Sequence, residues 1–272
     1  MGLRINTNVA ALNASRILRR STGSLNKSLE RLASGLRINR AGDDAAGLAI
    51  SESFRTVIRG SLVAQRNSQD GISLIQTAEG ALETTTQLLQ RIRELSVQAA
   101  NGTQSDVTRG FLDSEVQELL DQIDDIALNT EFNGLFVLSA ASTITLQAGS
   151  RAGQTLVIAV AGSKTSDIGV NKVSISTTAL AVSALSTIDV ALQSVTSLRS
   201  TFGAFQNRLE FTIDTLAIQE ENSAAADSAL RDADIARETI KFTRNQILVS
   251  AGTAVLSQAN VVPQTALQLL GA

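Results

Sequence analysis

The sequence has no histidine, cysteine, tryptophan or tyrosine, and only one proline. Without imidazole or thiol there is no Ser-His-Asp or Cys-His nucleophile, no base titrating near neutrality, and no imidazole or thiolate metal site. Disulfides are excluded in any compartment. Charged residues make up only 18% of the chain against 43% hydrophobic. That is enough apolar material for a core and too little charge for a disordered polyelectrolyte. Purely apolar runs such as Leu156–Ala161 fall far short of a bilayer span. The N-terminal Met1-Gly-Leu-Arg-Ile-Asn lacks a basic segment followed by an apolar core, so no secretory signal peptide is expected. The composition therefore points away from an enzyme, a cofactor carrier or a membrane protein. The 272 residues are about two domains' worth of chain.

What is present is helical periodicity at both ends. Ile5, Val9, Leu12, Leu18, Leu25, Leu29, Leu32 and Leu36 step at 4, 3, 6, 7, 4, 3 and 4, a heptad-like seam with one irregular step. Asn39-Arg-Ala-Gly42 reads as a loop, after which Asp43 or Asp44 is placed to cap a helix. From there to about Ala100 no proline intervenes, and Ile75, Leu82 and Leu89 repeat every seven residues, as do Ala78, Thr85, Ile92 and Ala99. Such a helix would be roughly 85 Å long at 1.5 Å per residue, unless Gly60, Gly71 and Gly80 divide it.

After a turn at Asn101-Gly102, Leu112, Val116, Leu119, Ile123 and Ile126 predict a second helix. Short β-branched runs within about 132–161, separated by Gly-containing turns, predict hairpins. Residues 162–180 read as a surface connection. Helix resumes at Leu185, Ile188, Leu192, Val195 and Leu198 and continues through Phe202, Phe205, Leu209, Thr212 and Leu216, with core packing the default for Phe202, Phe205 and Phe211. A last helix carries Ala233, Ile240, Ile247, Leu248, Ala251, Ala254, Val255 and Val262 on one face, and Pro263 should loosen or end it. The expected fold is mainly α: a long antiparallel helical coiled-coil rod with a small β-hairpin region at the chain reversal. One molecule covers such seams only in part, which implies self-association through the terminal stripes.

Two segments resemble bacterial flagellin. The first is Leu29-Glu-Arg-Leu-Ala-Ser-Gly-Leu-Arg-Ile-Asn-Arg-Ala-Gly-Asp-Asp-Ala-Ala-Gly-Leu-Ala-Ile50, and the second is Asn245-Gln-Ile-Leu-Val-Ser-Ala-Gly-Thr-Ala-Val-Leu-Ser-Gln-Ala-Asn260. Asn6-Thr-Asn-Val, Gln90-Arg-Ile-Arg-Glu-Leu-Ser-Val and Glu131-Phe-Asn-Gly add to the likeness, which covers about residues 1–140 and 183–272. The family's large outer domains would fall between the hairpins and the returning helix, where this chain has only a short Ser/Thr/Gly-rich stretch. The resemblance implies a short flagellin that polymerises into the flagellar filament for motility. Residues 1–42 and 228–272 would form an inner terminal coiled coil, and 43–227 an outer helical rod. It also implies type III export to an extracellular flagellum, with an export chaperone and the hook-junction and cap proteins as partners. A vertebrate Toll-like receptor would engage the matching positions Arg91, Leu95 and Glu115. No cofactor is implied.

Self-assembly is expected through Ile5, Val9, Leu12, Leu18, Leu25, Leu29, Leu32, Leu36, Ile240, Ile247, Leu248, Ala251 and Val255. Other readings are weaker. Asp43 and Asp44 diverge by about 100° on a helix, so capping and a salt bridge to Arg37 or Arg40 account for them better than paired catalysis. Glu118, Asp121 and Asp125 share a helix face, whereas calcium needs convergent loop oxygens, so a solvated face is expected. Residues 1–70 hold eleven basic and five acidic side chains, net +6, and 71–130 hold three and ten, net −7. Mutual attraction explains this better than nucleic-acid binding, because the basic segment has one aromatic residue and no binding motif. A hook–filament junction protein with flagellin-like termini is the alternative. The His-Glu-x-x-His protease inserted in some flagellins is closed to a chain without histidine.

Overall fold

The computed structural model describes residues 7–270. Among them are five helices and two two-stranded antiparallel sheets, in the order α1 Val9–Ser34, α2 Ala45–Ala100, α3 Asp106–Asn129, β1 Glu131–Phe132, β2 Leu135–Phe136, β3 Ser142–Gln147, β4 Thr155–Val160, α4 Thr178–Arg231 and α5 Ile235–Leu270. The mainly α class with a small hairpin region is the one expected. The chain divides into two compact units, one of residues 1–55 with 223–272 and one of 56–222.

In the unit of 56–222, α2 buries Ala64, Ser68, Gly71, Ile75, Ala78, Leu82, Thr85, Leu89, Ile92, Ser96 and Ala99, stepping alternately by four and three. This is the heptad seam of the sequence, complete and unbroken. The buried hydroxyls of Ser68 and Ser96 donate to the carbonyls of Ala64 (2.9 Å) and Ile92 (2.7 Å), so neither is left unsatisfied. Helix α4 runs antiparallel to α2, tied by Arg93–Asp189 at 2.7 Å and Arg199–Glu79 at 3.6 Å. It contributes Ile188, Val195, Phe202 and Leu209 to the core. Phe211 points outward, contrary to the core expectation, because it lies two residues past the buried Leu209 and so about 200° around the helix. An 18-residue window of α4 reaches a mean hydropathy of 1.4, long and apolar enough by composition to cross a bilayer, though 28% of that window is buried within the fold.

On α3 the buried positions are Val116, Leu120, Ile123 and Ala127. The expected Leu112, Leu119 and Ile126 are only half-buried at its flank. The seam is turned because α3 has a second neighbour. Residues 162–177 are not a loose surface connection but a strap whose Ile168, Val170, Val173 and Ile175 enter the core. Three α3 side chains pin it. Asp124 accepts from the Thr165 N–H (2.7 Å) and hydroxyl (2.8 Å), Asp113 accepts from the Ile175 N–H (2.6 Å), and the Gln117 amide donates to the Val173 carbonyl (3.0 Å). At the α2–α3 turn the buried Arg109 donates to the carbonyls of Ala99 (2.8 Å) and Asn101 (3.1 Å), closing the end of α2.

Strands β1 and β2 pair Glu131 with Phe136 and Phe132 with Leu135. Between them Asn133 and Gly134 take φ of 51° and 80°, the two positive values that a tight hairpin turn needs. The β3–β4 hairpin explains two of the glycines of α2, Gly60 and Gly71. They do not divide the helix. A Cβ at Gly60 would meet Ser150 Cβ at 2.8 Å, and one at Gly71 would clash with the Leu146 side chain, so both let the hairpin lie close against α2.

In the other unit α1 and α5 pack as an antiparallel pair. Helix α5 does not end at Pro263 but continues to Leu270. Proline offers no N–H to the carbonyl four residues back, Ala259. That carbonyl instead accepts from the Asn8 side-chain amide at 2.8 Å, while Asn8 Oδ1 caps α1 through the Ala11 N–H at 3.0 Å. At the other end of the pair, Arg37 N–H donates to the Arg231 carbonyl (2.7 Å) and Ala233 N–H to the Gly35 carbonyl (2.9 Å), flanking the Leu36–Asp232 bridge.

Candidate functional site

The fully buried residues between α1 and α5 are small or polar, with larger apolar side chains only half-buried beside them. On α1 the buried positions are Ala14, Ser21 and Ser28, seven apart, with Leu18, Leu25 and Leu32 half-buried between them. On α5 the inward series is Glu238, Phe242, Asn245, Val249, Gly252, Leu256 and Ala259, again alternating four and three. A Cβ at Gly252 would stand 3.2 Å from Leu18 Cδ1, so small residues set how closely the two helices approach. Sequence periodicity picks out Leu18, Leu25 and Leu32 but misses Ala14, Ser21 and Ser28 and the α5 series, in which Glu238, Asn245, Gly252 and Ala259 alternate with Phe242, Val249 and Leu256. The heptad spacing at 14/21/28 and 238/245/252/259 was the available signal.

A second set of large apolar side chains on α5 faces away from α1. Ile240, Ile247 and Val255 are 60%, 62% and 58% exposed, and Leu248 and Ala251 are exposed beside them. At about 100° per residue these five share one face. Thr239, Ile240, Thr243, Arg244, Ile247 and Leu248 line a shallow apolar groove of about 440 Å³ along it. On α1, Val9, Leu12 and Leu29 are exposed, and just past its end Leu36 is half-buried. Ile5 and the side chain of Val262 lie outside the described residues.

Ionic contacts fix the end of this pair. Asp43 pairs with Lys27 at 2.7 Å, not with Arg37 or Arg40. Arg40 turns to Glu30 (2.8 Å) and Arg37 to the Leu230 carbonyl. The Lys27 hydrogen bond, with the backbone N–H groups of Arg40 and Asn39, lowers the Asp43 carboxyl to about 2. Asp44 makes the helix cap, accepting from the Gly47 N–H at 2.8 Å. Glu238 is buried, which disfavours its charge, yet Lys241, Ser28 and Arg31 outweigh that and hold its carboxyl below the ordinary value.

In the other unit Arg91 and Glu115 meet at 2.8 Å on the surface, and the hydrogen bonds Arg91 donates to Glu115 and then to Glu94 raise its guanidinium above the usual range. Leu95 does not join them there. It is 1% exposed, because it sits three residues past Ile92 on the core side of α2. Glu118, Asp121 and Asp125 are exposed and in no ion pair among the described residues, and no cluster of three or more ligating side chains forms there.

Two family models match the chain: the bacterial flagellin N-terminal helical region over residues 5–143, and the C-terminal helical region over 185–270. The chain belongs to the bacterial flagellin family. It is 46% identical to the flagellin of Halalkalibacterium halodurans, with 98% of this chain and 99% of that one aligned. It is 42% identical to the flagellar filament core protein flaB2 of Brachyspira hyodysenteriae, again over 98% and 99%. A flagellar hook-associated protein of Vibrio parahaemolyticus shares the fold, with a TM-score of 0.58 over 70% of this chain and all of that one, at 13% identity. The chain is therefore a structural subunit of the extracellular flagellar filament, and the junction-protein alternative is not favoured.

Proposed function

We propose that the outer face of α5 and the exposed apolar residues of α1 are the surfaces by which subunits polymerise. The supporting observation is the Ile240, Ile247, Leu248, Ala251 and Val255 stripe, which α1 leaves uncovered although its own heptad seam is satisfied. An apolar stripe of this kind is stabilised by burial against other copies, at about 25 cal/mol per Å² removed from water. Half-buried Leu18, Leu25, Leu32 and Leu36 then serve both contacts, completing the α1–α5 pair and edging the interface. In this reading the terminal helices, about residues 1–42 and 228–272, are the inner part of the filament and 43–227 the outer part. Export without a cleavable signal, an export chaperone, and the hook-junction and cap proteins belong to the same reading.

The test is polymerisation of Ile240→Asp/Ile247→Asp/Val255→Asp, followed by sedimentation and electron microscopy. Monomer with unchanged helix content and no filaments is expected; normal filaments would contradict the assignment. A second reading rests on the exposed Arg91–Glu115 pair, proposed as the surface met by a vertebrate Toll-like receptor on unassembled subunits. Leu95 supports that surface from beneath. In a receptor-reporter assay Arg91→Ala and Glu115→Ala should each weaken signalling, and unchanged signalling by the double variant would remove the proposal.

A further inference from the structure

We propose that Arg16, Arg19 and Arg20 are a docking surface for a second copy of this chain, receiving Asp227 and Asp232 from its α4–α5 junction. The proposal rests on the filament reading above. The three arginines are exposed and lie on the side of α1 away from α5. Their neighbours offer them no counter-charge. No acid precedes Glu30 in the chain, and α5 has no charged residue after Arg244. Among the described residues Arg16 and Arg19 reach only neutral oxygens, Asn13 Oδ1 at 3.0 Å and Ser15 Oγ at 3.3 Å.

Helical symmetry keeps a given unit of every copy at one distance from the filament axis. The acids nearest in radius to α1 are then those of the same unit in neighbouring copies. Five of that unit's acids are already in ion pairs: Glu30, Asp43, Glu52, Asp234 and Glu238. Asp44 caps α2. Asp227 and Asp232 remain, outside any ion pair among the described residues. Asp227 is half-buried, with its Oδ1 enclosed and without a hydrogen-bond donor.

The contact cannot close within one copy. Asp232 is level with Leu36 at the end of α1. The arginines lie sixteen to twenty residues earlier, about 24–30 Å along the helix at 1.5 Å per residue. Surfaces so separated meet head to tail, in a heterologous contact that propagates from copy to copy. The pairing accordingly calls for a neighbour displaced by about that distance along α1.

Two charge-reversed chains test this: Arg16→Glu/Arg19→Glu/Arg20→Glu, and Asp227→Lys/Asp232→Lys. Each alone sets like charges together, so each should raise the critical concentration for polymerisation about ten-fold or more at low salt, an effect shrinking in about 1 M salt. Mixed one to one, each variant presents the charges the other needs, and filaments should return. Circular dichroism of the monomers reports folding, and Asp232→Lys alone replaces the double variant if Asp227→Lys unfolds. Normal polymerisation of either variant alone, or a mixture of folded monomers that does not polymerise, would overturn the contact. Failure of the unaltered chain to form filaments would instead defeat the filament reading, and this contact with it.

Discussion

The two units of this chain use the same heptad spacing to opposite ends. In residues 56–222 the seam is filled by Ile75, Leu82, Leu89, Ile92, Ile188 and Phe202, each fully buried, and the strap and hairpin add Ile168, Val170, Val173, Ile175, Leu156 and Ile158 to the same core. In the unit of the two termini the buried hydrophobic residues are Ala14 and Ile38, among the described residues, while Ile240, Ile247, Val255, Val9 and Leu12 are exposed. One unit holds a large apolar core within its own chain, although Phe111, Val190 and Phe211 stay exposed, and the other buries few apolar residues fully, pairing its helices over small, polar and half-buried apolar side chains. Spacing alone therefore says that a helix has a partner.

Substitution in the two units should separate them most clearly. Phe202→Ala removes a fully buried ring and is expected to cost the monomer about 3–5 kcal/mol, read by denaturant unfolding. Ile247→Ala should change monomer stability by no more than about 0.5 kcal/mol, yet weaken polymerisation. A comparable loss of monomer stability for both would erase the distinction. Leu95→Ala belongs with Phe202, at about 2–5 kcal/mol, and would affect receptor signalling through folding. Gly60→Ala tests the hairpin seat: Ser150 backbone lies 3.1 Å from the added methyl, and overpacking of this kind costs about 1–3 kcal/mol.

Legibility followed the same division. The seven-residue repeats Ile75/Leu82/Leu89 and Ala78/Thr85/Ile92/Ala99 could be read directly, since large residues there do face the core. On α1 and α5 the same reading found Leu18, Leu25 and Leu32 and the outward stripe, while Ala14, Ser21 and Ser28 and the α5 series interrupted by Glu238, Asn245, Gly252 and Ala259 passed unseen. On α3 it chose Leu119 over Leu120, because periodicity could not show that the strap would pack alongside. The strap itself carried a signal in Ile168, Val170, Val173 and Ile175, outweighed by its Ser, Thr and Gly content. No local rule shows that Asn8 would supply the hydrogen bond missing at Pro263, since the two are brought together only by the pairing of the termini.

Smaller effects sharpen the account of the terminal unit. Asn8→Asp keeps the cap acceptor but loses the amide donor to Ala259, and should cost about 1 kcal/mol in the stability of the α1–α5 pair. A smaller effect still is expected from acid. Asp43 is lowered in the folded chain to about 2 from an ordinary 3.8, and Glu238 is lowered as well. A depressed carboxyl contributes stability above its ordinary value and loses it as pH falls through the folded value. The terminal unit should thus weaken as pH drops from about 4 toward 2. Asp43→Asn should flatten that dependence, measured by helix content of the monomer.

Hydrogen exchange on monomer and filament tests the central claim most directly. The helices of residues 56–222 should be protected in both states, whereas α1 and α5 should exchange rapidly in the monomer and slow by orders of magnitude in the filament. Equal protection of α1 and α5 in the two states would mean that the terminal pair is complete on its own, and would contradict the account.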